Sequence, residues 1–372
     1  MLETRLITTG TELAALEMPW NILAAGHPLR SWNWLATWWK HYGDAGRRLH
    51  VLAVYDNAEN EDGTLVGLAP WYMEHTAVHG NVVRPLGDGE VCTDHLSLLC
   101  QPGYVATVVT TLADYLIAND DEWGRLELVA IDEGDEAIEL LVGELESRDA
   151  LVSGQRAGNC WVIDLPETWD EYVADLSPSH RRQLRKCQRS QVESGRSRWH
   201  QVTQHSELAE AWSVLVNLHQ RRRNTLGEAG CFASRQFRDF HREVIEQLFS
   251  LGQLRMSWLE LDAAPFTAEY HVSSPETVFT YQSGIDTARL AESPGRLAYM
   301  LTIQRAIKDG FIRLDFLRGD EAYKAHFRAT ARPTYDYLVF PNRRLARLRG
   351  HVVLAAESLK DWVKQSVAPA KS

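Results

Sequence analysis

The sequence contains the same order of predicted elements twice, once in each half of the chain. Each copy has a serine-capped amphipathic helix, a strand, a polar turn and a second strand. Their ranges are 31–40, 49–55, 56–63 and 64–73 in the first copy, and 235–250, 254–261, 262–265 and 266–273 in the second. From cap to turn, the copies measure 25 residues (Ser31 to Asp56) and 28 residues (Ser234 to Asp262). Such a repeat predicts two copies of one α/β domain.

The length and composition fit two tandem domains. The chain has 372 residues, 45% of them hydrophobic, so each half can bury its own core. We predict domains at 1–160 and 161–342, followed by a C-terminal helix and tail at 343–372. The first boundary lies in a stretch, 151–168, that holds glycines and a proline. The predicted fold class is therefore α/β with mixed sheets.

The second half continues with a strand, a helix and another strand, predicted at 277–285, 293–308 and 312–317. Ser293-Pro294-Gly295 opens the helix and Gly310 follows its end, which matches the usual helix asymmetry. The start of such a helix commonly binds anions. Short polar residues gather at the strand ends around it, as in the active sites of α/β proteins. They are Tyr281, Gln282, Asp286, Asp315 and Arg318.

Two polar clusters lie on the helices between the copies. A helix starting near Ser179 carries a basic face within an arc of about 140°, formed by Arg181, Arg182, Arg185, Lys186 and Arg189. This face is either solvated or a site for phosphate groups. His219 and Arg222 continue the buried stripe of the next helix. They either line a cavity or satisfy the end of their helix.

Other function classes receive little support. The net charge of −11 argues against general nucleic-acid coating, so DNA is not an expected partner. The five cysteines show no zinc spacing, no His-Glu-x-x-His is present, and we expect no metal. Asp94-His95 is interpreted as a turn. The N-terminus lacks a secretion signal and the apolar stretch 105–118 is too polar to span a bilayer, which predicts a cytoplasmic protein.

The second half resembles the CelD-type acetyltransferases of the GNAT superfamily, which are related to FemAB-type transferases with two GNAT-like domains in tandem. The resemblance covers 161–340. Its motifs are Trp169, Leu176, Ser179-His-Arg-Arg-x-Leu184, Leu218-His219-x-x-Arg222, Tyr281-Gln282-x-Gly284-x-Asp286, Ser293-Pro294-Gly295, Ala306-Ile-Lys-Asp-Gly310, Asp315-Phe316 and Gly319-x-x-x-Tyr323-Lys324. Two tandem GNAT-like acyltransferase domains are what this resemblance implies for the fold.

The resemblance also implies a donor site. Acetyl-CoA or another acyl-CoA would lie between the strands at 277–285 and 312–317, with its pyrophosphate on the amides that open the following helix. The residues implied for this role are Ser293, Gly295, Arg296 and Arg289. The usual Q/R-x-x-G-x-G/A loop is absent, and only Gly295 can be placed on it.

Catalytic roles follow from the same resemblance. Lys324 lies in an aromatic-Lys-x-x-Phe setting, from Tyr323 to Phe327, and is expected to give electrostatic help. The candidates for the base are Asp315, Glu269 and His271, in falling order, and Tyr281 or Tyr323 can protonate the leaving thiolate. The residues expected to bind the acceptor are Arg181, His219, Arg222, Gln282, Asp286 and Arg318.

The implied function is transfer of an acyl group from acyl-CoA to an amine or hydroxyl of a sugar, a sugar nucleotide or a polysaccharide precursor. Two alternatives remain open at this stage. One is a FemAB-like transferase that uses aminoacyl-tRNA, which the basic face would serve. The other is a degenerate GNAT pair that binds sugars or partners without catalysis, which the weak donor loop and the thirteen tryptophans suggest.

Overall fold

The computed structural model describes residues 2–43, 46–58 and 63–367. In chain order its strands are β1 (Leu2–Ile7), β2 (Arg47–Leu49), β3 (Val51–Asp56), β4 (Thr64–Ala69), β5 (Trp71–Thr76), β6 (Gly80–Pro85), β7 (Leu99–Cys100), β8 (Arg125–Asp132), β9 (Leu151–Asp164), β10 (Ser197–Gln201), β11 (Leu254–Leu261), β12 (Ala264–Ser273), β13 (Thr277–Ile285), β14 (Arg313–Arg318) and β15 (Thr330–Phe340).

The α-helices are, in the same order, α1 (Gly10–Ala15), α2 (Glu17–Leu23), α3 (Trp32–Tyr42), α4 (Val105–Ala118), α5 (Glu136–Ser147), α6 (Trp169–Asp175), α7 (Pro178–Cys187), α8 (Leu208–Thr225), α9 (Arg235–Ser250), α10 (Pro294–Lys308), α11 (Tyr323–His326) and α12 (Arg344–Val367). None of the helices in the described part of the chain is long and apolar enough to cross a membrane.

Most of the described strands form one continuous sheet in the order β10-β11-β12-β13-β14-β9-β15-β8-β6-β5-β2. A smaller sheet, β1-β3-β4-β7, belongs to the first half. In the large sheet β9 pairs with β14 and β15 pairs with β8, so each half is completed by a strand from the other. The two halves therefore share their central strands. The predicted boundaries at 160 and 342 stay predictions, and β9 crosses the first of them.

The fold class, mixed α/β, is confirmed, and so are several predicted elements. Ser31 and Ser234 accept hydrogen bonds from the amides of Trp34 and Phe237, as N-caps do. The bounds of α9, β11, β13 and the helical part of α10 agree with the predicted ranges. The C-terminal helix is present from Arg344 to Val367, and residues 368–372 of the predicted tail lie outside the described residues.

The first copy of the repeat differs from its prediction. The strands predicted at 49–55 and 64–73 are each broken, at His50 and at Pro70, and their parts lie in different sheets. Proline has no N–H to give to a ladder, so a break at Pro70 is where this hairpin can pass from the small sheet into the large one. Of the predicted turn at 56–63, residues 59–62 lie outside the described residues.

An aromatic cluster joins the two halves. Trp34 of α3 is fully buried and packs edge-on against Phe240, His241 and Tyr281 of the second half. Its indole N–H donates to the hydroxyl of Thr93 at 2.9 Å. Burial of large aromatic rings gives much of the energy of such interfaces. The relative placement of the halves is therefore fixed by packed side chains, and a cleft between them is preformed.

Candidate active site

The candidate site is a cleft that opens where two parallel strands separate. β13 and β14 pair through only three residues each, ending at Phe279 and Asp315. Along its other edge β14 pairs with β9, from Arg313 opposite Asp164 to Arg318 opposite Cys160. The space left between the strands is a cleft of about 580 Å³, whose walls include residues of α7, α8, α10 and α11 and a loop of the first half, Glu90–Asp94.

The start of α10 forms one end of this cleft. Ser293 adopts a left-handed conformation (φ 57°), Pro294 is the first helical residue, and both line the cleft. A Cβ built on Gly295 would meet nothing within 4 Å, so a ligand can approach the backbone here. The amides of Arg296 and Leu297 donate to the carbonyl of Ser293, which leaves the Gly295 amide for a ligand. Arg296 donates to the Ser293 hydroxyl at 3.1 Å and keeps its guanidinium beside the helix start. The Gly295 amide, the helix dipole and the guanidinium together suit an anionic ligand.

The structure brings ten of the predicted site residues to this one cleft. They come from five separate parts of the second half, which the sequence alone does not place together. The ten are His219, Arg222, Tyr281, Gln282, Ser293, Gly295, Arg296, Arg318, Tyr323 and Lys324. Their placement agrees with a shared site, and their individual roles stay predictions.

Three of the predicted residues lie elsewhere, with their charges already occupied. The Arg181 guanidinium donates to three backbone carbonyls at the end of α6. Arg289 forms ion pairs with Asp262 and Glu292, each at 2.6 Å. Asp286 accepts from the amide of Ala288 and from Arg221, both at 3.1 Å. These three residues were expected to bind the donor or the acceptor. Their hydrogen bonds and ion pairs instead stabilise local structure outside the cleft.

Asp315, the first candidate for the base, also lies outside the cleft. Side chains alternate along a strand, and that of Asp315 faces away from α10 into a second cavity. One of its oxygens accepts from the amide of Leu317 at 2.7 Å, and the other lies 3.2 Å from Nε2 of His95. Asp315 therefore does not lie in the same cleft as Tyr281 and Lys324, which the prediction of Asp315 as the base required.

The next candidates, Glu269 and His271 on β12, do line the cleft. Glu269 is 1% exposed, and its Oε2 has no hydrogen-bond partner among the described residues. Burial raises the pKa of this carboxyl well above its usual range. Nε2 of His271 lies 3.8 Å from that oxygen, and burial lowers the pKa of His271 to about 4. A buried carboxyl with a raised pKa holds a proton more tightly than a free one does, so it is suited to accept a proton from a reacting group.

Lys324 is buried at the edge of the cleft, and its ammonium is fully engaged. Nζ donates to the carbonyls of Leu317, Arg318 and Gly319 at 3.3, 3.0 and 2.8 Å, and pairs with Glu321 at 2.9 Å. An ammonium has three N–H donors, so these carbonyls can occupy all of them. The geometry thus favours Lys324 as the residue that fixes the turn after β14, because its ammonium holds the three carbonyls of that turn in place.

A close helix–strand contact positions His219 and Arg222. A Cβ on Gly284 would lie 2.8 Å from the backbone nitrogen of His219, so only glycine lets α8 approach β13 this closely. His219 is buried, with Nδ1 3.1 Å from Gln220, and burial lowers its pKa. Arg222 is exposed at the rim of the cleft. Of the two interpretations of this pair, cavity lining is the one that the structure supports.

Several contributors to the cleft were missed by the sequence interpretation. Asp94, interpreted as part of a turn, forms an ion pair with Arg318 and accepts from its amide at 3.0 Å. The Tyr299 hydroxyl lies 3.1 Å from that of Tyr323, and the rings stack. The Tyr281 hydroxyl donates to the carbonyl of Val91 at 2.6 Å and lies 3.1 Å from Nε2 of His241. The polar run 93–95 between buried apolar residues was the available signal for Asp94.

The comparison with protein families identifies the part of the chain that holds this cleft. Residues 178–325 match a family described as acetyltransferase (GNAT) domain. This segment is therefore similar to GNAT acetyltransferase domains. It contains α7, α8, β12, β13, α10 and β14, which form the cleft, and the predicted enzyme class is confirmed. Among curated proteins, none matches the sequence significantly.

Solved structures extend the likeness to both halves. FemX covers 93% of this chain and 99% of its own, with a TM-score of 0.62 and 10% identity. The C-terminal domain of a putative lysylphosphatidylglycerol synthetase from Agrobacterium fabrum covers 92% of this chain and 95% of its own, with a TM-score of 0.53 and 10% identity. At such identity the likeness concerns the fold alone, and it confirms the tandem GNAT-like architecture.

Proposed function

We propose that the chain transfers an acyl group from acyl-CoA to an amine or hydroxyl of a saccharide, a sugar nucleotide or a polysaccharide precursor. One observation carries the proposal. A single cleft runs from an open, positively charged helix start at Gly295 and Arg296 to the unpaired carboxyl of Glu269. A phosphate-bearing donor fits the first end, and a proton acceptor is available at the second.

The donor is an acyl-CoA because the matched domain is a GNAT domain and the helix start fits a pyrophosphate. The donor phosphates lie at the amide of Gly295, with Arg296 adding a charge. The pantetheine arm then enters the gap between β13 and β14, whose separation after Phe279 leaves backbone groups unpaired along its path. This places the thioester near the middle of β13.

Glu269 acts as the general base. The acceptor's nitrogen or oxygen attacks the thioester carbonyl, a new bond forms to the acyl carbon, and the proton of the acceptor passes to Glu269. The carbon–sulfur bond then breaks, and the thiolate leaves. Nε2 of His271 lies 3.8 Å away, and the lowered pKa of this ring keeps it neutral, so the proton stays on Glu269.

The remaining charges are stabilised by groups around β13. A β-bulge between β12 and β13 leaves Tyr281 without a counterpart, since Tyr270 pairs with Gln282 and His271 with Thr280. A backbone amide freed by such a bulge can donate to the oxyanion. The Tyr281 hydroxyl is held by Val91 and His241, so the Tyr299–Tyr323 pair is the better source of a proton for the thiolate.

The acceptor enters from the side of the first half. There the wall is formed by the Glu90–Asp94 loop, with Arg318 oriented by Asp94 and Gln282 projecting from β13. Such a mixed polar wall offers both donors and acceptors, as hydroxyl-rich ligands require. The resemblance to CelD-type enzymes supports a saccharide in this place.

The experiment is a thiol-release assay with acetyl-CoA and a panel of amino sugars, sugar nucleotides and oligosaccharides. The proposal expects transfer to at least one acceptor and its loss in Glu269→Gln. Glu228→Gln, an exposed carboxylate paired with Arg223, is the matched control and should keep full activity. Transfer that survives in Glu269→Gln would remove this residue as the base, and no release with any acceptor would contradict the function.

A second candidate function is transfer from aminoacyl-tRNA. The observation in its favour is a groove of about 640 Å³ lined by the whole basic face, Arg181, Arg182, Arg185, Lys186 and Arg189. Such a groove can hold a phosphate backbone, with strong salt dependence. Binding of charged tRNA that falls when Arg185 and Lys186 become alanine, together with no response to acetyl-CoA, would replace acyl-CoA as the donor.

A further inference from the structure

A second cavity, of about 690 Å³, lies on the face of β13 and β14 opposite to α10. Thr277, Phe279 and Asp315 point into it, whereas the alternate residues Val278 and Leu314 pack against α10 in an apolar core. Its other walls come from the first half and from β9. The GNAT cleft does not include it, and the proposed acyl transfer makes no use of its side chains.

Three side chains of metal-ligating type meet at the wall of this cavity. They are His95, Asp132 and Cys160, and their candidate ligand atoms all lie within 4.8 Å of one another. All three line the cavity. His95 and Cys160 are buried, at 8% and 1% exposure, and Asp132 is partly buried. Atoms this close can surround one ion at bond lengths of about 2.0–2.3 Å after small side-chain movements.

The orientation of His95 agrees with a metal ligand. Its Nε2 lies 3.2 Å from Asp315, and that carboxylate is itself fixed by the amide of Leu317. Metal-bound histidines usually have a carboxylate beside their second nitrogen, which sets the tautomer and the ring angle. Nδ1 is hydrogen-bonded to Asp132, 2.8 Å from Oδ2. An ion would take the place of the proton that these two atoms share, while Nε2 keeps its contact with Asp315.

Ion pairs explain why His95 lies beside Asp132 and Asp315, but they do not explain the position of Cys160. His95 can balance the carboxylates of Asp132 and Asp315 without any thiol. The Cys160 side chain is 1% exposed and lies in the wall of the same cavity as those residues. Coordination to a metal ion would favour the thiolate form of this buried sulfur.

We propose that His95, Asp132 and Cys160 bind one divalent zinc-type metal ion, with a fourth position open to the second cavity. One nitrogen, one sulfur and one oxygen ligand favour Zn²⁺ over Mg²⁺ or Ca²⁺, which prefer oxygen. Three protein ligands with an open fourth position is the arrangement of zinc sites that bind water or a substrate. Arg30, 3.9 Å from both Asp132 and Asp135, offsets part of the negative charge around the ion.

The ion would lie at the centre of the large sheet, with all three ligands from the first half. Asp132 ends β8 and Cys160 lies in β9, whereas Asp315, which orients His95, lies in β14 of the second half. Binding to the folded state alone stabilises it by mass action, by an amount set by the metal concentration relative to Kd. Zn²⁺ should therefore raise the unfolding temperature of the chelator-treated full chain.

The test is a titration of the chelator-treated full chain with Co²⁺, followed by optical absorption. Thiolate ligation gives a charge-transfer band that carboxylate and imidazole ligation alone does not give. We expect one Co²⁺ per chain, with this band present in the wild type and in Cys100→Ser, which changes another cysteine of the same cavity. Cys160→Ser should lose the band, and displacement by Zn²⁺ should remove it in the wild type.

Two further variants keep the result decisive if Cys160→Ser fails to fold. Asp132→Asn keeps the shape of a partly exposed side chain and should weaken Zn²⁺ binding at least tenfold. Asp315→Asn, which touches the ion only through His95, should weaken it about 10–100-fold. Failure of the wild type to bind stoichiometric metal would overturn the proposal, and so would binding that is unchanged in both Cys160→Ser and Asp132→Asn.

Discussion

Each half of the molecule has the same strand–helix–strand unit, but only that of the second half lies in the matched GNAT domain. In the first half β6 and β8 are parallel, joined through α4, and β5 flanks β6. In the second half β13 and β14 are parallel, joined through α10, and β12 flanks β13. The large sheet places these units symmetrically about β9 and β15. The two halves therefore share this arrangement of strands and helix, and they differ in the side chains that it carries.

The flanking strands show this difference most clearly. β5 carries Glu74, which forms ion pairs with Arg84 and Arg47. β12 carries Glu269, which is buried and has an unpaired oxygen. The helix starts differ as well. α4 follows Tyr104, whose hydroxyl donates to Asp56, whereas α10 begins at an open Gly295 beside Arg296. At these matched positions the first half carries paired side chains, whereas in the second half Glu269 keeps an oxygen without a partner and Gly295 stays open.

The largest expected effect is on turnover in Glu269→Gln. Loss of a general base should lower kcat by about 10²–10⁴-fold while the fold is retained. Glu74→Gln, its counterpart in the first half, should leave kcat within a factor of about two while lowering stability slightly, by about 1 kcal/mol. Kinetics and thermal unfolding of both variants measure this contrast, and equal losses of turnover would break it.

Lys324→Met should act on stability first. Three backbone carbonyls lose their buried donor, so the free energy of unfolding should fall by about 3 kcal/mol. Lys40→Met removes an exposed ion pair between the halves, with Glu243, and should cost less than about 1 kcal/mol. Denaturant unfolding provides the values. A Lys324→Met protein of wild-type stability that lacks turnover would instead assign Lys324 a direct electrostatic role.

Gly284→Ala should distort the cleft through α8. The added Cβ meets the backbone of His219, so the helix must shift, at a cost of about 1–3 kcal/mol and with a raised KM for the acceptor. At Gly67, in the first half, the added Cβ would clash with both methyl groups of the buried Val108, which does not line the cleft. Gly67→Ala should also destabilise the fold but leave KM unchanged. A KM that rises equally in both variants would contradict the positioning by Gly284.

The pH profile should show the protonation of Glu269. Its pKa is raised in the folded protein, so the carboxyl is protonated, and inactive as a base, below that pKa. The rate should therefore rise about tenfold per pH unit until the pH passes this pKa, and then level off. In Glu269→Gln this rise of the rate with pH should be absent, and only a rise caused by deprotonation of the acceptor should remain. An unchanged profile in the variant would assign the titration to another group.

Local patterns were sufficient to predict most of the second half. Caps, apolar spacing and turn residues gave the bounds of α9, β11 and β13, because these signals act within a few residues. Pro70 was overlooked in the first half, although a proline inside a predicted strand argues for a break. The polar residues at strand ends were found for the same local reason.

The sequence could not give the contacts between distant residues. The register of β14 decides which cavity the side chain of Asp315 faces. That register is set against β9, which lies about 150 residues earlier in the chain, so no local pattern predicts it. His95, Asp132 and Cys160 are separated by 37 and 28 residues, far outside any ligand spacing. Their meeting depends on the strand exchange at the centre of the sheet, which no local pattern encodes.

The central claim is that the donor binds at the start of α10, and calorimetric titration with acetyl-CoA tests it most directly. We expect micromolar binding to the wild type and about tenfold weaker binding to Arg296→Ala, since one charged contact to phosphate is lost. Two controls should bind as the wild type does: Arg185→Ala, which matches the charge, and Thr107→Ala, which matches the position on α4. No heat up to millimolar acetyl-CoA, or equal weakening in all three variants, would contradict the account.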